Sequence, residues 1–431
     1  MSGTFSATSE RRWLLFLLLL ALGLRLLAAV VIDWHVRGEG RTFLVEGDAN
    51  GYWELGRKLA SGEDYCIHSP PRYILRTPGF PLLLAGSMWI VGERVFPVTL
   101  LLAGLGTVCC GLTWLMARRL AGPLPALGAL LLAAVSPLQI GSSVQVLSEG
   151  WFSIWLLLSL LAVRPILQIP DCGVTSNSGT CAAPLVRMTV VRMTVRGILA
   201  GLAAGAGVLV RPGWILWPVG VAICLLLAGR GDRRTRGLVF LSVCFGCWLV
   251  LFPWAWRNHK VCGHWVYTSL WSGPSLYDGL HAGATGASDM RFFDREQLGQ
   301  RVSEYAVNEE YKRRAWEFAV SEPGRVLELA VVKAGRFLSP VLRAEGFSGG
   351  LFSLACCGWY LALVALVVHG SRIMWRSMNW PSLLLLWLPF LLFLLIHLVF
   401  VGSIRYRLPA EFPLLVLAGL GLEGFLMRHK T

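Results

Sequence analysis

The chain has 431 residues, is 55% hydrophobic and only 15% charged, and its mean hydropathy of +0.61 excludes a water-soluble globular protein, so the bilayer is its solvent. A formal charge of +14 invites a nucleic-acid reading, but the arginines are scattered between apolar runs and form no single basic face. No nucleic acid is therefore expected, and the cations are read as partners of membrane-lipid headgroups or of a phosphate ligand.

Arg11 and Arg12 precede Trp13 to Ile32, which at 1.5 Å per residue crosses a core of about 30 Å. The run is too long for the h-region of a signal peptide and no small-x-small site closes it, so it is read as a first span starting inside. Residues 33–81 then form the first outer loop. An ordered polar loop of this length in an apolar chain is more often functional than connecting, and Glu46 to Pro81 carries carboxylates, basic groups and aromatic rings before a Pro-Gly-Phe-Pro turn.

Phe80 to Val91 is too short to span and is read as interfacial or re-entrant. Pro97 to Ala117, Leu124 to Leu138 and Trp151 to Val163 are read as spans two to four, followed by an inner loop over 165–196 with VRMTV twice in tandem. Gly197 to Gly229 is too long for one untilted span and is interrupted by Arg211, Pro212 and Gly213, so it is split into two short spans meeting at the outer face. Leu238 to Trp256 is the seventh span, 257–345 a large outer loop, and Phe347 to Val368, Pro381 to Val401 and Leu408 to Met427 complete ten. Inner loops then hold Arg118 with Arg119, the Arg230 to Arg236 cluster, Arg372 with Arg376, and Arg428 with Lys430, which puts both termini in the cytoplasm. The expectation is an all-α integral membrane protein: one polytopic bundle over 1–431 of about ten transmembrane helices, with outer-face juxtamembrane helices. Within the large loop, Glu296 to Ser321 reads as a helix with Glu309 and Arg313 at pairing distance. Leu327, Ala330, Val331, Ala334 and Leu338 give a second helix an apolar stripe that suits either a helix lying on the membrane surface or the packed face of a juxtamembrane helix, the packed face being the preferred reading.

Asp48 and Tyr52 lie four apart. On a short helix this carboxylate is able to deprotonate an acceptor, to hold a divalent cation, or merely to cap the helix, and spacing does not choose among these. Arg72, Arg76, Arg211, Arg257, Arg405 and Arg407 fall on the outer side, where the positive-inside rule leaves few basic residues. Each alone reads as a snorkelling anchor; several converging on Asp48 make a phosphate cradle. Glu149, in LSEGW, is the second outer carboxylate next to a span. His68, His259, His264 and His281 lack metal-binding spacing, and no Walker loop, dinucleotide fingerprint or GxSxG is present. Most of the eleven cysteines lie in apolar runs and read as small packers, Cys244 and Cys247 included, while a Cys66–Cys262 disulfide is left open by the spacing.

The run GDANGYWELGRKLASGEDY followed by RTPGFPLLLAG resembles the first outer loop of C-type (GT-C) glycosyltransferases, in particular the bacterial family 39-like members, which are related to protein O-mannosyltransferases and lipid A aminoarabinose transferases. VLSEGWF, GVLVRPGWILWP, FPWAWRNHKVCGHWV, AWEFAVSEPGRVLELAVVKAGRF and RYRLPAEFPLLVLAG extend the resemblance over nearly the whole chain. It implies a bacterial inner-membrane enzyme that moves a hexosyl or pentosyl group from a polyprenyl-phosphate donor to a lipid, glycan or protein acceptor at the periplasmic face, with inversion. Asp48 would be the catalytic carboxylate, with Tyr52, Arg72, Arg76, Glu149, Arg211, Arg257, Asn258, Arg405, Tyr406 and Arg407 as substrate-binding candidates. No cofactor follows, although a divalent cation stays open. Ala49, where protein O-mannosyltransferases have an acidic residue, counts against protein mannosylation, and a chain ending at Thr431 is expected to lack the extra soluble domain of the aminoarabinose transferases. The rival readings are a transporter or flippase of a phosphorylated lipid, which also wants membrane-edge arginines and a broken helix, and a non-catalytic scaffold.

Overall fold

The computed structural model describes residues 7–167, 182–228, 233–341 and 350–428. In chain order the helices are α1 (Ala7–Gly38), α2 (Asp48–Ala60), α3 (Gly79–Val91), α4 (Val95–Ala121), α5 (Pro123–Val135), α6 (Pro137–Ser143), α7 (Glu149–Leu167) and α8 (Ala182–Val210). A 3-10 turn (Pro212–Leu216) leads into α9 (Trp217–Ala228), and α10 (Arg233–Cys262), α11 (Ser272–Gly279), α12 (Arg291–Glu296), α13 (Glu304–Ser321), α14 (Pro323–Leu338), α15 (Gly350–Arg376), α16 (Trp380–Val399) and α17 (Ile404–Arg428) follow.

Among the described residues eight helices are long and apolar enough to cross a membrane: α1, α4, α7, the Val190–Val210 part of α8, α10, α15, α16 and α17. The ten expected spans divide accordingly. Leu124 to Leu138 is no straight span, because α5 and α6 meet at 62° at Ser136 and Pro137 and pass the same test only as a pair. Gly197 to Gly229 does break at Arg211, but unequally: the first piece is full length and Pro212–Ala228 is short. The loop placed at 165–196 is narrower, since α7 continues to Leu167 and α8 begins at Ala182. Arg230 and Lys430, two of the cations expected on the inner side, lie outside the described residues.

Polar groups inside the bundle are matched to the places where backbone is freed. Pro137 has no N–H for the carbonyl four residues earlier, that of Ala133. Arg25, fully buried in α1, supplies it: Nη2 donates to Ala133 O (3.2 Å) and Nη1 to Ala134 O (3.4 Å) and Ala21 O (3.0 Å). Elsewhere small residues let backbones touch. A Cβ on Gly201 of α8 would lie 2.2 Å from Val243 O of α10, and the two helices pack through that close approach.

Arg118 pairs with Glu10 (2.6 Å) and Arg164 donates to Arg119 O, which gathers the start of α1 and the ends of α4 and α7 at one end of the bundle. The opposite end carries α2, α3 and α11 to α14. Here α13 starts at Glu304 and not at Glu296, because Gln297 adopts a left-handed backbone (φ 47°) and Ser303 caps the new helix by accepting from Ala306 N. Glu309 pairs with Lys312 (2.8 Å), while Arg313 takes Glu310 and Glu317.

Helix α14 inverts the preferred sequence expectation of a packed stripe. Leu327 and Val331 are exposed, at 70% and 73%, and α14 packs through Leu329, Lys333 and Phe337. Lys333 is fully buried because its Nζ donates to Val399 O (2.7 Å) and Leu398 O (3.3 Å), the free carbonyls at the end of α16. The exposed stripe suits contact with lipid at the membrane surface.

Candidate active site

Five separate segments deliver one cluster of charges. Gly47 turns the chain with φ 79°, a backbone that favours glycine, and Asp48 becomes the first residue of α2. Glu149 is the first residue of α7 and Arg211 sits at the break after α8. Arg405 lies in the first turn of α17, and Arg76 in the loop before Pro78. Helix N-termini suit the two carboxylates.

Arg76 Nη2 donates to Asp48 Oδ1 (2.7 Å) and Arg405 Nη1 to Asp48 Oδ2 (2.7 Å). Arg405 Nε also donates to Glu149 Oε1, which accepts from Arg211 Nη2 as well (3.2 Å). Arg405 therefore bridges both carboxylates. The Glu149 side chain is only 2% exposed, whereas that of Asp48 is 37% exposed and open to a ligand. Burial works to raise the pKa of Asp48, but the Arg76 and Arg405 guanidiniums outweigh it and hold the carboxyl well below the usual carboxylate range. Tyr52 lies under the Arg76 guanidinium (4.4 Å to the ring centroid) and against Phe80. Tyr406 lies under Arg211 (5.5 Å) and stacks on His397 (4.2 Å), whose Nδ1 faces Val401 O.

The remaining candidates are placed elsewhere. Arg405 and Arg407 are two residues apart on a helix, hence about 200° apart around it. Arg407 turns inward, fully buried, onto Glu411 (2.7 Å), the carbonyls of Phe337 and Ser339, and the Tyr360 ring. Arg72 stacks on Phe293 (4.5 Å) beside Glu304, which accepts from Tyr73 N and Ile74 N. Arg257 donates to Tyr73 O and Tyr65 O, and Asn258 to Val266 O. These three fasten the polar loops at this end of the bundle to one another. Cys66 and Cys262 carry free thiols.

A cavity of about 740 Å³ opens beside the cluster. Glu149, Arg405 and Arg336 line its polar end, and Leu27, Val31, Leu138 and Phe352 belong to its apolar wall. Leu27, Val31 and Phe352 are themselves exposed on the bundle surface. Arg336, which sequence reasoning left out of the site, donates from Nε to Gly402 O (3.1 Å). His397 was also missed; the only available signal was a histidine inside an otherwise apolar run.

The cluster fits an anion and not a divalent cation. Three guanidiniums face two carboxylates, both carboxylates are already engaged by arginine, and Arg211 Nη1 and Arg76 Nε are buried without a hydrogen-bond partner. Among the described residues no group of three or more His, Cys, Asp or Glu is placed to hold a metal.

No protein-family model matches the chain, and no curated protein does. Among solved structures, the oligosaccharyltransferase AglB from Archaeoglobus fulgidus, in complex with an inhibitory peptide and a dolichol-phosphate, superposes with a TM-score of 0.55 at 16% identity, covering 97% of this chain and 51% of that one. The apo oligosaccharyltransferase of Archaeoglobus fulgidus gives 0.56 at 14% identity, covering 99% and 52%. ArnT from Cupriavidus metallidurans bound to undecaprenyl phosphate gives 0.46 at 14%, covering 97% and 78%. The chain spans about half the length of the oligosaccharyltransferase structures it matches. Their likeness, over almost all of this sequence, shows that the chain has the fold of the GT-C membrane glycosyltransferases.

Proposed function

We propose that the chain is an integral-membrane glycosyltransferase that moves a hexosyl or pentosyl group from a polyprenyl-phosphate donor to a lipid, glycan or protein acceptor at the periplasmic face of a bacterial inner membrane, with inversion. The observation that carries this reading is Arg405, which bridges Asp48 and Glu149 at the polar mouth of an apolar cavity. AglB, with a dolichol-phosphate in its structure, supports a lipid-linked donor here.

In this mechanism the prenyl chain lies along the apolar wall and the phosphate meets Arg405, Arg211 and Arg336. The acceptor oxygen or nitrogen forms a bond to the anomeric carbon as the bond from that carbon to the phosphate oxygen breaks. The electron pair leaves with the polyprenyl phosphate, whose growing charge the guanidiniums stabilise, and the acceptor proton passes to Asp48. Asp48 is a weak base while two arginines hold it. A phosphate that shares Arg405 weakens that hold, so donor binding itself restores basicity to Asp48. Glu149 is the buried counter-charge that keeps Arg405 and Arg211 oriented.

The test is transfer of labelled sugar from a panel of polyprenyl-phosphate sugars into lipid, glycan and protein fractions, comparing wild type with Asp48→Asn at matched expression. Transfer that disappears in the variant supports the reading and names donor and acceptor. Transfer that survives the substitution removes Asp48 from the chemistry, and no transfer from any donor overturns the enzyme class.

A further inference from the structure

A second cavity, of about 420 Å³, lies between the end of α1, the start of α4 and the segment leading into α2. It shares Ile32, Leu44, Val45, Gln145 and Leu147 with the larger cavity, so these five residues are a common wall. The wall runs on through the chain to Asp48. Asp48 itself lines neither cavity; its neighbour Ala49 ties it to the smaller one and its bond to Arg405 ties it to the larger one.

The chemistry of the smaller cavity differs from that of its neighbour. Three arginines line it, Arg37, Arg41 and Arg94. Arg37 is paired with Asp33 (2.9 Å) and Arg41 with Glu39, but Arg94, at the start of α4, has no side-chain partner among the described residues. Below them the lining is apolar, with Ala29 and Ile32 of α1 and Phe96 of α4, next to α1 side chains such as Val30 and Trp34 that are exposed on the bundle surface. Cations over an apolar floor at a membrane boundary match a molecule that carries both an anionic head and an alkyl part.

We infer that this cavity is the acceptor subsite and that it takes an anionic amphiphile, its phosphate or carboxylate held by Arg94 and Arg41 and its alkyl part laid against Ile32 and Phe96. The assignment of the cavity to the acceptor rests on the transferase reading. Inversion then requires the acceptor nucleophile to reach the anomeric carbon in line with the departing phosphate oxygen and on the opposite face, with Asp48 beside the acceptor.

The test is binding to the purified full-length chain in neutral detergent, with three probes: dioctanoyl phosphatidic acid, dioctanoylglycerol and inorganic phosphate. Each is titrated against the parent chain, the Arg41→Gln/Arg94→Gln double variant and the distant surface variant Arg291→Gln, all in an Arg336→Gln/Arg405→Gln background, which removes the two cations that line the larger cavity. The phosphatidic acid is expected to bind about tenfold more tightly than the neutral glyceride, the scale of one charge-assisted hydrogen bond, and inorganic phosphate should not displace it. The double variant should lose that tenfold and Arg291→Gln should not. Equal binding of the neutral lipid, or an unchanged double variant, overturns the proposal, and displacement by inorganic phosphate reduces the site to one for free anions and overturns the amphiphile. These readouts need no turnover. Failure of the transferase reading, judged by Asp48→Asn in the labelling assay, is therefore separate from failure of this one.

Discussion

Arg405 and Asp48 are 357 residues apart in sequence and joined by a 2.7 Å bond from Nη1 to Oδ2. That contact closes the first polar loop onto the last helix. It also has a sharp geometric demand, because the same guanidinium reaches Glu149 through Nε.

A lysine offers one point charge and does not span both carboxylates. Arg405→Lys is therefore expected to lower sugar transfer by about 10² to 10³, the scale for losing one preorganised donor to a developing charge, with little change in thermal midpoint. Arg407→Gln should do the reverse. It removes one partner of a fully buried pair with Glu411, at a cost of about 3 kcal/mol in stability. Comparing transfer and thermal unfolding for the two variants checks the assignment; equal loss of transfer at equal stability would contradict it.

Asp48 gives a pH prediction with a definite sign. Its pKa is depressed in the folded chain, mainly by two arginines acting against burial, so the stability it contributes is fully present above the ordinary carboxylate range, near 4, and is lost only as pH falls well below it. The difference in thermal midpoint between wild type and Asp48→Asn should be the same at pH 7 and pH 5. A difference that already shrinks across that interval would mean that the ion pairs do not hold Asp48 in solution.

The sequence reached the cluster because its signals are local. A carboxylate before a short helix, a carboxylate at a span boundary, and an Arg-Pro break in an apolar run each mark one strand of the site, and Asp48, Glu149 and Arg211 do lie together with Arg405 and Arg76. It did not separate those arginines from Arg72, Arg257 and Arg407, which share residue type and expected side. What separates them is tertiary: the aromatic rings under Arg72 and the carbonyls offered to Arg257 belong to remote segments. The α14 stripe misled for a related reason. Apolar periodicity marks a face that avoids water, and beside a membrane that face turns to lipid as readily as to protein.

Arg25 tests the account of the broken helix. Arg25→Leu leaves the Ala133 and Ala134 carbonyls without their donor at the break, and about 2 kcal/mol of stability should be lost. Adding Pro137→Ala restores an N–H four residues after Ala133, so the double variant should regain part of that loss. If Arg25→Leu unfolds at the wild-type temperature, the arginine is not what holds the α5–α6 bend.

Lys333 separates a structural cation from a solvated one. Burial pushes its pKa down to about 8, against the opposing pull of Asp278, while unfolding returns it to the ordinary lysine value, near 10.4. Between those values the unfolded chain binds a proton that the folded chain has shed, so this residue makes stability rise with pH over that interval. Below about pH 8 both states carry the proton and its contribution is flat, with the full cost of burying the charge in place. Other groups titrate here too, so the informative quantity is a difference: the thermal midpoint of wild type minus that of Lys333→Met should increase from pH 8 to pH 10 and stay constant from pH 6 to pH 7.5. The methionine keeps the packing of the α14 face and removes only the amine and its bonds to Leu398 and Val399. Because the next turn of chain carries Ser403 and Arg405, transfer by Lys333→Met should fall in kcat more than in KM. Parallel pH profiles for the two proteins would show that the ammonium is solvated, and that α14 does not clamp the end of α16 through it.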